Sequence, residues 1–238
     1  MPMSLSRLFG LSALIMTCAL PLDAAVLAPG GTVFPTGITS LADPELAGGV
    51  VQEELLPFQA QSPTPAFLDV LGNVQNRAIA SNLTGNIILA YQLRELSSTY
   101  QPSGIQITGM SLSGFASYGL FSLDVDYRTD STGNRGLTSV SRSGDGNVLT
   151  FAFDPIAVSG LFGVPSDSSY LLSLKTDAST WSNTGILTVF GFDTVEGRSF
   201  STTFGGLAVP GAAEVPIPAG GALLIGALMV LGIVRRRR

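Results

Sequence analysis

The 238-residue chain contains no histidine and a single cysteine, Cys18. Without an imidazole, neither a Ser-His-Asp nor a Cys-His catalytic group assembles, and no His-ligated zinc site forms. Cys18 lies inside an apolar N-terminal run. Thr17 stands before it where a lipoprotein usually has Gly or Ala, and apolar sequence continues after it, so lipidation is disfavoured. Once that run is removed the chain has no thiol, which excludes disulfides and thiol chemistry even in an oxidising compartment. Positive charge is scarce as well. Residues 25–214 carry 16 acidic and 7 basic side chains, a net charge of −9. Binding to a phosphate backbone needs a basic face, so nucleic acid is not an expected partner.

What is present is clearest at the two ends. Residues 1–24 have the layout of a secretory signal peptide: Arg7 as the positive region, an apolar stretch over 8–20, and Pro21 as a helix breaker. The small residue Ala24 predicts cleavage between Ala24 and Ala25. At the other end, residues 219–234 carry no charge. A helix over 218–234, entered through the prolines of Val215-Pro216-Ile217-Pro218-Ala219, approaches the thickness of a hydrocarbon core of about 30 Å. Pro218 is acceptable in a first helical turn, where its missing N–H has no partner to lose. Arg235, Arg236, Arg237 and Arg238 then supply a stop-transfer signal that stays cytoplasmic, which leaves everything before Val215 outside the inner membrane. Ala222 and Gly226 form one small-xxx-small pair, a weak dimerisation signal.

Between the ends, residues 25–66 are rich in Pro, Gly and small residues. They predict an irregular lead-in with one short strand near residues 50–56. From residue 67 to 206 the pattern alternates. "FSLDVDYR" sets Phe121, Leu123, Val125 and Tyr127 against Ser122, Asp124, Asp126 and Arg128. "NIILAYQLR" sets Ile87, Leu89, Tyr91 and Leu93 on one side. "VLTFAF" gives Leu149, Phe151 and Phe153, "YLLSLK" gives Tyr170, Leu172 and Leu174, and "ILTVFGF" gives Phe190 and Phe192 beside Ile186. A period of two with one polar face means half-buried antiparallel strands. Turn signals fall at 129–136, 143–147, 163–169 and 181–185. "FLDVLGNVQNRAIA" reads equally as strand or short helix. The expected fold is mainly β: an antiparallel, jelly-roll-like β-sandwich with an N-terminal signal helix and a single C-terminal transmembrane helix. Residues 207–214 read as a flexible tether.

Signal segment, exported domain, proline-containing pentapeptide, apolar helix and terminal arginine cluster together resemble the PEP-CTERM class of sorted surface proteins. Val215-Pro216-Ile217-Pro218-Ala219 is similar to the VPLPA-CTERM variant, with Ile217 where leucine is usual. The domain before it more loosely resembles uncharacterised domains that precede such tails, through "LAYQLRELSS", "SGFASYGLFSLDVDYRTD", "LTFAF" and "LLSLKTDASTWSNTG". The resemblance implies recognition by an exosortase, a membrane transpeptidase-like enzyme of Gram-negative bacteria associated with extracellular polysaccharide. It implies no activity for the exported domain.

The candidate chemistry of that domain rests on acids and aromatics. Asp124, Asp126 and Asp130, with Asn134, offer oxygens of the kind Ca²⁺ takes. Arg128 stands where a calcium loop wants Asp or Asn, and strand alternation aims Asp124 and Asp126 into solvent, so no metal or other cofactor is expected. Asp145 reads as a hairpin residue. Trp181 and Tyr118 are aromatic enough to stack on sugars, although core or loop anchoring is the commoner use. The leading expectation is a non-enzymatic structural or adhesive component of the cell surface or extracellular matrix, with polysaccharide as a candidate partner. Its rival is a secreted, carboxylate-dependent hydrolase acting on polysaccharide.

Overall fold

The computed structural model describes residues 24–61, 69–99, 104–119, 121–160, 165–195 and 197–211. The signal segment before Ala24, the motif Val215 to Ala219, the 218–234 helix and the four arginines lie outside them. Among the described residues no α-helix forms, and no helix is long and apolar enough to cross a membrane.

Twelve strands make two six-stranded antiparallel sheets. The first sheet runs β1 (Ala25–Leu27), β7 (Leu123–Arg128), β10 (Leu171–Lys175), β5 (Ile87–Ser98), β4 (Asp69–Ala80) and β3 (Gly49–Gln61). The second runs β12 (Arg198–Pro210), β11 (Trp181–Asp193), β6 (Ile105–Ser113), β9 (Val148–Val158), β8 (Leu137–Arg142) and β2 (Thr32–Val33). One apolar core joins their inner faces, with Val74, Leu89, Leu123, Val125 and Leu174 from the first sheet meeting Ile107, Leu112, Leu149, Phe151 and Val189 from the second. This is the two-layer arrangement that strands with one apolar face demand.

Alternation places the inward residues of β7, β9 and β10 as the sequence predicts. The ambiguous segment becomes strand β4. Four expectations are corrected. The expected irregular lead-in over 25–66 with one short strand is corrected over its described part, 25–61, because β1 pairs with β7, β2 with β8, and β3 extends over 13 residues. β3 is an edge strand, and an edge tolerates Pro57 where a central strand would not. The "WSNTG" turn lies inside β11, whose register against β12 shifts between Ser182 and Gly185 and again before Ile186. β11 buries Leu187 and Val189 and exposes Ile186 and Phe192, the reverse of the predicted face. Both parities of β11 are apolar, and packing settles the choice. Phe200 is buried against the inner side of Gly191, while the ring of Phe190 covers Gly109. Finally, residues 207–210 are strand rather than tether, and Leu207, Ala208 and Val209 are fully buried. The buried Asn76 secures them by donating to the Gly206 carbonyl at 3.2 Å and accepting from the Ala208 amide at 3.0 Å. The Tyr91 hydroxyl donates to the Ala208 carbonyl.

A second, smaller apolar cluster explains why β5 is buried on both faces. Ile79, Ile88, Ala90 and Leu171 project from the outer side of the first sheet and are covered by Ile38 and Leu46. The 37–48 segment that carries those two residues also roofs the candidate site.

Candidate functional site: an acidic cavity around Lys175

Strand pairing sets Asp124 opposite Lys175 and Asp126 opposite Ser173 on the outer face of the first sheet. Over this face lies a 3₁₀ turn, Pro44–Ala47, capped by Asp43, whose carboxylate accepts from the Glu45 amide at 3.2 Å. The other Asp43 oxygen meets the Lys175 ammonium at 2.8 Å. Glu45 and Asp124 lie 3.5 and 3.9 Å from the same ammonium. Lys175 is the only lysine of the chain, so one cation answers three carboxylates. Beside it opens a cavity of about 400 Å³ whose lining includes Glu45, Ser81, Asn86, Asp124, Lys175 and Asp177.

The electrostatics follow from this crowding. Burial pushes the Asp124 carboxyl above its ordinary range, and the acids Asp177, Glu45 and Asp43 add to that, while Lys175 pulls it down. For Lys175, burial opposes the charge, but the Asp43 hydrogen bond and the surrounding acids hold its pKa above the usual value. The cavity thus combines a carboxyl biased towards holding its proton with two further carboxylates and a fixed ammonium. Such a set offers both hydrogen-bond donors and acceptors to whatever enters it.

The three calcium candidates do not converge. Asp126 is only 3% exposed rather than aimed into solvent, because the 37–48 segment covers it. It accepts from the amides of Gly37 at 2.9 Å and Tyr127 at 2.8 Å. Asp130 pairs with Arg128 at 3.0 Å and accepts from the amide and hydroxyl of Ser40. Only Asp124 reaches the cavity. Among the described residues no group of three or more acids is placed to hold a metal ion. Asn134 bonds Asp167 across the 129–136 loop. Asp145 accepts from Ser143 and from the Asn147 amide, the hairpin role the sequence predicts. Tyr118 is buried, with Arg142 over its ring at 5.9 Å and its hydroxyl accepting from the Asp177 amide at 2.9 Å. Trp181 packs half-buried against the core beside Pro210.

Asp43, Glu45, Lys175 and Asp177 escape sequence reading because they come from two distant segments that meet Asp124 on a third. The one available signal is a lone lysine closing the apolar strand "LLSLK". Comparison with protein-family models, curated proteins and solved structures gives no match.

Proposed function

We propose that this chain is an exported cell-surface or extracellular-matrix protein with a structural or adhesive role. In this reading residues 1–24 direct export across the inner membrane as a signal helix, and Ala25 begins the mature chain. The helix over 218–234 anchors the protein transiently, with Arg235 to Arg238 in the cytoplasm. An exosortase-type membrane enzyme then acts at Val215-Pro216-Ile217-Pro218-Ala219 and passes the jelly-roll-like domain to the surface, where extracellular polysaccharide is the candidate partner. The observation that carries this reading is the order of the tail: proline motif, uncharged run and arginine cluster, starting four residues after Gly211. The test replaces all four arginines with serine. Because a charge costs about 2.5–3.5 kcal/mol at the bilayer centre and serine far less, the variant should lose membrane retention and escape to the medium. Unchanged processing and location would contradict the stop-transfer role.

A second reading, the carboxylate-dependent hydrolase, is favoured by one observation: Glu45, Asp124 and Asp177 line a single cavity, with Asp124 biased towards its protonated form. It predicts polysaccharide hydrolysis by the exported domain that Asp124→Asn abolishes. Absence of turnover in the unaltered protein leaves the first reading standing alone.

A further inference from the structure

The chain leaves the second sheet at one end of the sandwich, and that end carries several exposed apolar side chains. The Gly211 amide donates to the Thr180 carbonyl at 2.8 Å, which fixes the exit point. Two residues upstream of Thr180, the Ala178 carbonyl accepts from the Ile87 amide at 2.7 Å, bringing the β4–β5 turn over 81–86 alongside. Asp177 binds Tyr118, whose ring meets that of Phe121 at 5.6 Å, so the β6–β7 loop lies there too. In these two connections stand Leu83, 70% exposed, and Phe121, 55% exposed. Val50, paired with Ile79 at the end of β4, and Val51 at the register shift beside it expose further apolar surface at the same end. Side chains this exposed leave much of their apolar surface without a partner in their own domain.

The length of the chain beyond the described residues says what faces them. Only Ala212, Ala213 and Glu214 separate Gly211 from Val215. From Gly211 to Pro218, where the span begins, seven extended steps cover at most about 25 Å. The headgroup layer on each side of a bilayer is itself about 5–8 Å thick. If the span begins at Pro218, the sandwich is held within about 20 Å of the surface, with the end that Gly211 leaves turned towards it.

We propose that the end of the sandwich from which Gly211 leaves rests on the lipid surface its own tail enters, with Leu83 and Phe121 as the side chains that reach into the headgroup layer. This rests on the reading of residues 218–234 as a membrane span. Charge narrows the lipid. Asp145 and Asp177 lie at this end, and among the described residues the one guanidinium near them, that of Arg142, is buried and committed to the carbonyls of Gly119, Phe121 and Gly146. The surface therefore suits zwitterionic headgroups and disfavours anionic ones.

The full chain with Cys18→Ser accepts one reporter at a time, since it then holds no other thiol. Leu83→Cys, Phe121→Cys and Val195→Cys each take a polarity-sensitive dye at an exposed position, so folding is spared. Val195 follows β11, whose 13 residues put it about 40 Å from the exit end. In phosphatidylcholine vesicles carrying a headgroup spin label, the dyes at 83 and 121 should lose fluorescence and the dye at 195 should not. Replacing part of the phosphatidylcholine with phosphatidylglycerol should reduce that loss. A chain retained after alkaline carbonate washing, yet quenched at 83 and 121 no more than at 195, overturns this inference alone. A dye shift at 83 or 121 that disappears on diluting the protein, without spin-label quenching, points to a second copy and also overturns it. A chain stripped from the vesicles by carbonate overturns the membrane-span reading and this inference with it.

Discussion

Asp126 and Asp130 sit four residues apart, and their surroundings shift their carboxyl groups in opposite directions. Burial under the 37–48 segment pushes Asp126 above the ordinary carboxylate range, against the pull of its two amide donors. Asp130 is held well below that range by its hydrogen bonds with Arg128, reinforced by Ser40. An acid with a raised folded pKa stabilises the fold in its protonated form and loses that contribution as pH rises. An acid with a lowered pKa contributes above its unfolded value, near pH 4, and loses the contribution on acidification. Asp126→Asn keeps an oxygen acceptor for Gly37 and Tyr127 and removes a buried charge. Its melting temperature at pH 7 should therefore equal or exceed that of the unaltered protein. Asp130→Asn should lower it at pH 7 and flatten the acid side of a stability–pH curve. Calcium should raise neither melting point beyond what magnesium does, because each aspartate already has protein partners. A calcium-specific rise that Asp126→Asn removes would refute this placement of the carboxylates.

Strands were legible in the sequence where one parity was clearly polar, as in β7 and β9. They were not where both parities are apolar or both are small. In β11, Ile186, Phe190 and Phe192 compete with Leu187 and Val189, and only the fit of Phe200 against Gly191 and of Phe190 against Gly109 selects the inward set. β1 and β2 are two or three residues long, and their existence depends on a partner strand rather than on local pattern. The end of β12 reads as a linker because "GGLAVPG" is small and glycine-rich, yet Asn76 and Tyr91 bond its backbone from over 100 residues away. The acidic cavity was illegible for the same reason: it is assembled by the 37–48 roof, whose position no local pattern encodes. These differences make the C-terminal strand a sharp test. A domain ending at Gly206 loses fully buried Leu207, Ala208 and Val209, together with the Ala208 amide that Asn76 accepts from and the Ala208 carbonyl that Tyr91 donates to. Urea denaturation should show a loss larger than a single buried Leu→Ala change, about 2–5 kcal/mol. Equal midpoints for domains ending at 206 and 211 would restore the tether interpretation.

At the scale of the whole molecule, stability comes from one shared core between two sheets, without disulfides beyond residue 18. The proposed life of the protein adds two cuts to that body: one before Ala25, where β1 begins, and one beyond Gly211, where β12 has ended. Both fall outside the paired strands, so processing leaves the sheets whole. The most direct test is the intact mass of the protein recovered from the cell surface or medium of its native host. The account predicts a chain that starts at Ala25 and ends within or beside Val215-Pro216-Ile217-Pro218-Ala219, with any added mass attached at that new C-terminus. A surface protein that still carries Arg235 to Arg238, or begins at Met1, would contradict it.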